Sequence, residues 1–344
     1  MMAKSEDELK LSQYFNAHQI FEKQGRVINL TKIAHGWETE IYSFNFRFES
    51  GIVPQKELVL RIYAGDAAEE KSNKEFKVMA KLHGLGFPVP KVYHLEINRS
   101  VLGKPFVIME KVNGKSMAET IEESPIKEKE EMVKLFCKIF VDLHRLDKEN
   151  FISESSIYDK GTPDRFLNGM LEKGRRMLVP FNENQIKNVL DWLEQEKENV
   201  HSWRLSPVHL DYHFHNILIG NNGKPFVIDW TNFDIADYRM DLAWTILLSS
   251  SYDHPEARDI ILEIYERISG EKVEDIEFFE ALAAARRLFS IFISLRMGPE
   301  RLGMRPEAAE LMKRQKGHMR YVSKVLHNHT GINVSELLDE FLNF

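Results

Sequence analysis

Residues 207–219 have the sequence PVHLDYHFHNILI, and the eight positions from His209 to Asn216 hold three histidines, an aspartate and an asparagine. If this run were an extended strand, its histidines and Asp211 would point to one face, because successive side chains of a strand alternate. Such a row suggests ligands for zinc or iron. Neighbouring side chains on one strand are too far apart to complete a coordination shell, so a metal site would need further ligands from elsewhere in the chain.

A second interpretation uses only part of this run and continues further along the chain. Asp211 follows His209 by two positions, Asn216 follows Asp211 by five, and Asp229 in VIDW lies thirteen positions beyond Asn216. These spacings follow the H-R-D-x-x-x-x-N loop and the D-F-G segment of protein kinases. There an aspartate accepts the proton of the attacking hydroxyl, and an asparagine and a second aspartate hold magnesium. The spacing therefore predicts Asp211 as the catalytic base and Asn216 and Asp229 as metal ligands.

The longer segment HLDYHFHNILIGNNGKPFVIDWTNFDIADYRMDLAW, residues 209–244, resembles the motif region of the aminoglycoside phosphotransferase family. That family and its choline-kinase-like relatives share the protein-kinase-like fold. Its pattern is a histidine-x-aspartate, a short gap, NIL, a turn, IDW or IDF, and an aspartate pair that ends in DLA. Asp237 and Asp241 match the pair in spacing. The usual Gly-Asp-Pro is replaced here by Ala236-Asp237-Tyr238, which is a departure from the pattern.

The resemblance extends from about residue 29 to about residue 248 and implies supporting roles around the catalytic loop. Asp241 begins an apolar helix, where a capping role alone would explain it; the resemblance implies instead that it braces the loop. His209 is expected to pack and to form hydrogen bonds rather than to act as a base. His213 and His215 then have no catalytic role, or they face the substrate.

The resemblance also implies a nucleotide site in the first third of the chain. Gly36 and Trp37 in IAHGWETE lie where some members of the family have a loop that covers the nucleotide, although an isolated turn glycine would explain Gly36 equally well. Arg61 in LVLRIY occupies the position of the protein-kinase lysine. A cation there can pair with the α- and β-phosphates, and the alternative is an ordinary surface charge on a strand.

Two further elements complete this expected nucleotide site. The partner of the strand arginine is expected on the following helix at Glu75, with Glu69 and Glu70 as rivals that could equally belong to a solvated face. The segment IMEKVNG is expected to form the hinge, with main-chain groups from Glu110 to Val112 facing the adenine. Side-chain identity carries little information at a hinge of this kind.

The hydrophobic pattern predicts an α+β, bilobal, protein-kinase-like fold with a small antiparallel-sheet N-lobe and a larger, mainly helical C-lobe. Aromatic residues at positions 42, 44, 46 and 48 alternate, which is typical of a strand with one buried face. A second strand is expected over Glu57–Tyr63 and a helix over Ala67–His83, and Ser5 with Glu8 has capping-box spacing for an N-terminal helix. The expected domains are a nucleotide-binding lobe at 1–112 and a helical lobe at 113–344 that carries the catalytic loop and the substrate site.

Composition narrows the class of protein. The chain of 344 residues has a net charge of −7, which disfavours a sequence-independent nucleic-acid binder. No apolar run approaches the roughly 18–20 residues that a membrane span needs, so no membrane partner is expected. The single cysteine, Cys137, cannot form an internal disulfide and is expected to be a buried apolar residue. A cytoplasmic location is expected, and the oligomeric state is left open.

The main hypothesis is thus a phosphotransferase that uses ATP (or GTP) and Mg²⁺ to phosphorylate a hydroxyl of a small molecule. One alternative is a nucleotide-binding pseudokinase or regulatory module, and another is a metal-dependent hydrolase or oxygenase built on the histidine run. A polycationic aminoglycoside would require an acidic pocket. Arg286, Arg287 and Arg296 would suit a neutral or anionic acceptor, although helix arginines are often structural.

Overall fold

The computed structural model describes residues 4–35, 39–49, 55–151, 164–178, 184–251 and 256–342. The chain forms two compact units. The first comprises residues 1–115, 217–231 and 303–305, and the second comprises residues 116–216, 232–302 and 306–344. The division of nucleotide-binding and catalytic functions between residues 1–112 and 113–344 stays a prediction.

An antiparallel sheet of five strands forms the centre of the first unit. Its elements are the helix α1 (Lys4–Ala17), the strands β1 (Gly25–His35), β2 (Thr39–Phe48) and β3 (Lys56–Tyr63), the helix α2 (Ala68–Gly84), and the strands β4 (Val92–Glu96) and β5 (Phe106–Glu110). The strand order is β1-β2-β3-β5-β4. The N-terminal helix and both strands expected near residues 42–63 are therefore present.

The alternating aromatic residues of β2 supply one face of a hydrophobic core. Phe44, Phe46 and Phe48 are buried there, and Leu11 and Phe15 of α1 belong to the same cluster. Fully burying side chains of this size contributes about 1.5–3 kcal/mol each. The period-two pattern thus correctly predicted which face of the strand is buried.

Five short strands follow in the part of the chain that the structure describes. They are β6 (Gly114–Ser116), β7 (Leu205–Val208), β8 (Ile217–Gly220), β9 (Pro225–Val227) and β10 (Asp234–Asp237). β6, β8 and β9 form one small sheet, and β7 pairs with β10 in another. A Cβ at Gly114 would lie 1.9 Å from the carbonyl oxygen of Ile219, so this close strand approach requires glycine.

The second unit is mainly helical. Its helices are α3 (Met117–Glu123), α4 (Ile126–His144), α5 (Arg165–Leu178), α6 (Asn184–Glu196), α7 (Tyr238–Ser251), α8 (Ala257–Ser269), α9 (Ile276–Met297), α10 (Ala308–Arg314), α11 (Lys316–Thr330) and α12 (Ser335–Leu342). The long apolar helix α9 packs against α7 and α11. Cys137 on α4 is buried, and burial raises the pKa of its thiol to about 12. In the part of the chain that the structure describes, no helix combines the length and the apolar character of a membrane span.

Candidate active site

The histidine-rich run forms a turn and a short helix rather than a strand. β7 ends at Val208, and Phe214–Asn216 form a short 3-10 helix immediately before β8. Leu210 between them has a left-handed backbone with φ of +60°, which is unusual for a leucine. The alternation of residue types from 209 to 215 therefore does not place these side chains on one face.

The carboxylate of Asp241 on α7 holds this turn. It accepts the main-chain N–H of His209 at 2.6 Å and that of Leu210 at 2.7 Å. Asp241 is fully buried. Its Oδ2, which accepts the N–H of His209, also lies 3.3 Å from His144 Nε2. The other ring nitrogen of His144 is hydrogen-bonded to the hydroxyl of Tyr265 at 2.8 Å. Buried N–H groups need a partner, so Asp241 supports the unusual backbone of the turn, as the resemblance implied.

Asp211 follows this turn and keeps a partly exposed carboxylate, with 31% of its side-chain surface accessible. The indole N–H of Trp244, one turn beyond Asp241 on α7, donates to Asp211 Oδ1 at 3.3 Å. The side-chain amide of Asn216 donates to the main-chain oxygen of Asp211 at 2.9 Å and lies 3.5 Å from Oδ2. His213 Nε2 is 3.9 Å from the same oxygen. The carboxylate is thus oriented from two sides and remains accessible.

The histidines do not form a metal cage. His209 is fully buried, whereas His213 is half-buried, and the ring centroids of His213 and His215 are 6.0 Å apart. Within the described ranges, no group of three or more histidine, cysteine, aspartate or glutamate side chains has the arrangement of a metal site. The metal interpretation relied on a strand, and this segment is not one.

Asp237, the first aspartate of the C-terminal pair, has a structural environment. It is fully buried, its Oδ2 accepts the main-chain N–H of Arg204 at 2.7 Å, and it forms an ion pair with Arg239 at 2.9 Å. Tyr238 begins α7 where the family pattern has proline, and its ring stacks on Tyr265. These contacts accommodate the departure from Gly-Asp-Pro.

A second cluster of charged residues lies in the first unit. Arg61 on β3 contacts Glu75 Oε1 on α2 at 3.0 Å and Asp229 Oδ1 at 2.7 Å. Asp229 follows β9 with a left-handed backbone, φ of +67°, and also accepts the hydroxyl of Thr231 at 3.0 Å. The expected pairing of the strand arginine with Glu75 is present, and the structure adds Asp229 to it.

Burial and mutual charge determine the protonation of this cluster. Burial lowers the pKa of Arg61, but the charges of Asp229 and Glu75 outweigh burial and leave that pKa above its ordinary value. Burial raises the pKa of Glu75 against the opposing charge of Arg61. Glu75 is also hydrogen-bonded to the hydroxyl of Tyr63, and it accepts the main-chain N–H of Trp230 at 3.0 Å. Glu75 therefore connects β3, α2 and the segment that carries Asp229.

The roles of the other predicted nucleotide contacts stay predictions, and the structure describes the positions of some of them. Glu110 ends β5, and its main-chain N–H donates to the carbonyl of Lys91 at 2.8 Å. Val112 lies two residues beyond the strand, where the chain has no regular structure. Glu69 and Glu70, the alternative candidates for the partner of Arg61, are exposed on the first turn of α2. Gly36 and Trp37 lie outside the described residues.

The side chains of Asn216 and Asp229 offer oxygen ligands of the type that Mg²⁺ prefers. The amide nitrogen of Asn216 is used by Asp211, and no hydrogen bond among the described residues uses its side-chain oxygen. The Asp229 side chain is 36% accessible. The chemistry of both side chains therefore fits a magnesium ligand.

The sequence was compared with models of known protein families. The model of the phosphotransferase enzyme family, APH, matches residues 29–282. The chain belongs to this family. The comparison with curated proteins gave no match.

Solved structures show that this APH-family chain shares the fold of known phosphotransferases. A thermostable mutant of aminoglycoside phosphotransferase APH(4)-Ia, in a ternary complex with ADP and hygromycin B, is 16% identical, with 92% of this chain and 97% of that chain covered and a TM-score of 0.62. Ethanolamine kinase from Plasmodium vivax is 15% identical, with 88% and 81% covered and a TM-score of 0.59. The GDP complex of an aminoglycoside 2'-phosphotransferase-IIIa mutant is 14% identical, with 94% and 97% covered and a TM-score of 0.58. The predicted α+β, bilobal, protein-kinase-like fold is confirmed.

Several residues around Asp211 and the preceding turn were not predicted from sequence. His144 contacts Asp241 and Tyr265 contacts His144; both lie on distant helices, and no local motif marks either of them. Trp244 had a usable signal, because it lies three positions after Asp241 and so shares a helix face with it. The sequence left Arg286 either as a contact for a neutral or anionic acceptor or as a structural residue, and the structure shows that it donates a hydrogen bond to the carbonyl of Leu210 at 3.2 Å.

Proposed function

We propose that this protein transfers the γ-phosphoryl group of ATP, in an Mg²⁺-dependent reaction, to a hydroxyl group of a small molecule. Membership of the phosphotransferase family supports the reaction class. The similar structures include complexes with ADP and hygromycin B and with GDP, which supports a nucleoside triphosphate as donor and leaves GTP as an alternative. The buried thiol of Cys137 fits a reducing, cytoplasmic setting.

The observation that carries the proposal is the setting of Asp211. A general base must have a fixed direction and still be reachable by the hydroxyl that it deprotonates. Trp244 and Asn216 orient Asp211, Asp241 anchors the preceding turn, and the carboxylate stays partly exposed. Asp211 would accept the proton of the acceptor hydroxyl while the oxygen of that hydroxyl attacks the γ-phosphorus and ADP leaves.

The charged groups have complementary roles in this proposal. Asn216 and Asp229 would hold Mg²⁺, which neutralises charge on the phosphates when bound. Arg61 would contact the α- and β-phosphates, since a guanidinium matches phosphate oxygens in geometry. Glu75 would keep Arg61 in place through their buried ion pair.

The remaining nucleotide contacts are proposed from the family pattern. Gly36 and Trp37 would cover the nucleotide, and main-chain groups of Glu110 and Val112 would face the adenine. Residues 1–112 would then carry most of the nucleotide contacts, and residues 113–344 would carry the catalytic loop and the acceptor site.

The proposal is tested by combining a binding readout with a turnover readout. Thermal-shift titration with ATP, GTP and Mg²⁺ measures nucleotide binding, and ADP release over a panel of hydroxyl compounds measures transfer. Asp211→Asn should retain the ATP·Mg²⁺ stabilisation and lose about 10²–10⁴-fold in kcat.

The matched control is Asp259→Asn, because Asp259 is an exposed aspartate on α8. It should leave both readouts unchanged. Full turnover in Asp211→Asn would exclude Asp211 as the base. Stabilisation by ATP without transfer to any acceptor would favour the pseudokinase alternative.

A further inference from the structure

Arg286 on α9 places a cation beside the catalytic turn. Its guanidinium carbon lies 4.0 Å from the ring centroid of Trp244 and 5.7 Å from that of Phe166. One of its nitrogens donates to the main-chain oxygen of Leu210, the residue before Asp211. Trp244 in turn donates to the Asp211 carboxylate. Arg286 is therefore one contact away from the proposed base by two routes.

The charge of Arg286 has no carboxylate partner among the described residues. Three other buried or half-buried arginines do have one: Arg61 pairs with Glu75, Arg239 with Asp237, and Arg258 with Glu280. Burial lowers the pKa of Arg286 to about 10 despite the raising effect of Asp211. A half-buried cation that forms no direct ion pair is costly, so the presence of this charge calls for an explanation.

Arg286 has N–H donors beyond the one that binds the Leu210 carbonyl. A guanidinium carries five N–H donors in a planar fork that matches carboxylate and phosphate oxygens. One hydrogen bond is formed within the protein. The remaining donors are suited to an anionic oxygen group on a ligand.

The other two arginines considered from sequence are placed differently. Arg287 Nε donates to His318 at 2.7 Å, which ties it to α11. Arg296 is exposed in the last turn of α9. Of these three arginines, Arg286 is the one that the structure brings to the turn preceding Asp211.

We propose that the phosphoryl acceptor carries an anionic group, a carboxylate or a phosphate, and that Arg286 binds it while the acceptor hydroxyl faces Asp211. This inference rests on the proposed function and deepens it, because it names the class of acceptor. It disfavours a polycationic aminoglycoside, which Arg286 would repel. Arg286 is thus a specificity-determining residue.

The experiment compares wild type with Arg286→Gln, which removes the charge and has an amide donor on a shorter side chain. Arg286→Lys keeps the charge with a different geometry. Arg320→Gln on α11 removes a charge from an exposed position and is the matched control. Each protein is titrated with gluconate, inorganic phosphate and sorbitol at constant ionic strength in the presence of ADP and Mg²⁺, and unfolding temperature is measured.

We expect gluconate or phosphate, but not sorbitol, to stabilise wild type and Arg320→Gln, and this response to be lost in Arg286→Gln and partly kept in Arg286→Lys. In the ADP-release assay, acceptors are compared in matched pairs: glycerate with glycerol, gluconate with sorbitol, and 3-phosphoglycerate with glycerate. The ratio of kcat/KM between the more and the less anionic member of a pair should fall about 10- to 100-fold in Arg286→Gln, mainly through KM. The last pair distinguishes a phosphate from a carboxylate.

Three results would overturn the inference. They are an equal response to the anions in wild type and Arg286→Gln, a preference of wild type for neutral or cationic acceptors, and a uniform loss of kcat for every acceptor in Arg286→Gln. The last result would assign Arg286 to the transferring phosphoryl group. Stabilisation of wild type by ATP·Mg²⁺ is measured in parallel, because its absence would count against the proposed function itself.

Discussion

The carboxylate of Asp241 accepts the main-chain N–H of Leu210 at 2.7 Å, and Leu210 has a left-handed backbone with φ of +60°. The left-handed region is costly for a residue that carries a Cβ atom. The hydrogen bond that Leu210 donates to Asp241 supports this conformation directly before the proposed base. The stability of the turn and the activity of the enzyme should therefore depend on the same carboxylate.

Replacing Asp241 with asparagine tests this dependence. Asparagine has one side-chain oxygen, so its amide nitrogen would face one of the two buried N–H donors. An unsatisfied buried donor costs about 1–3 kcal/mol. We expect the free energy of unfolding to fall by about that amount in urea denaturation, together with a loss of kcat. Unchanged kcat would show that the turn keeps its geometry without this carboxylate.

The buried pair of Arg61 and Glu75 leads to a second prediction. Glu75→Gln removes one of the two carboxylates that compensate the Arg61 charge, and breaking a buried pair costs about 3–5 kcal/mol. We expect a comparable fall in the free energy of unfolding and a smaller stabilisation by ATP·Mg²⁺. Glu70→Gln is the matched control, because Glu70 is exposed on the same helix, and it should change stability by less than about 0.5 kcal/mol.

Asn216 leads to a prediction about metal dependence. Asn216→Ala removes both the proposed oxygen ligand and the hydrogen bond from the side-chain amide to Asp211, whereas Asn216→Asp keeps an oxygen ligand. We expect the Mg²⁺ concentration for half-maximal ADP release to rise by about tenfold or more in the alanine variant, and to rise less in the aspartate variant. An identical Mg²⁺ requirement in all three proteins would exclude Asn216 as a ligand.

His318 on α11 makes stability depend on pH. Burial lowers the pKa of His318 from 6.5 to about 3, and the nearby charge of Arg287 acts in the same direction. Its Nε2 accepts the N–H of Arg287, and its Nδ1 is hydrogen-bonded to the hydroxyl of Ser251. Protonation would remove the acceptor at Nε2 and place two positive charges in contact, so the folded state keeps this ring neutral.

The sign of the effect follows from the two pKa values. Below the unfolded value of 6.5, the unfolded chain binds a proton that the folded chain excludes until about pH 3. The stabilisation is complete above pH 6.5 and is lost as pH falls through this window, by at most about 1.4 kcal/mol per pH unit. His318→Gln should flatten this dependence in urea denaturation between pH 7 and 5. His327→Gln, at an exposed position on α11, should leave the slope unchanged, and an unaltered slope in His318→Gln would contradict the prediction.

Local sequence patterns predicted much of the fold. The alternating aromatic residues of β2 identified both the strand and its buried face, because the period of two is a property of the extended backbone itself. The spacing of Asp211, Asn216 and Asp229, with the DLA segment at Asp241, identified the family, because these residues lie on short connected elements whose geometry follows chain spacing. The roles of the nucleotide-binding residues stay predictions.

The same kind of pattern was misleading where the chain turns. Alternation from His209 to His215 suggested a strand with one polar face, but the left-handed Leu210 and the 3-10 helix at Phe214–Asn216 interrupt it. Residue type alone does not reveal this, since leucine rarely adopts such a backbone. The hydrogen bonds that Asp241 accepts, from more than thirty positions away, support the turn.

Local patterns were therefore enough to identify the family, the first strands and helices, and the proposed base. The distant side chains around that base became apparent only in the folded chain. Arg286 lies 76 positions from Leu210, and His144 lies 97 positions from Asp241. Such contacts depend on how helices pack, and packing is set by the summed burial of many side chains rather than by the spacing of a few.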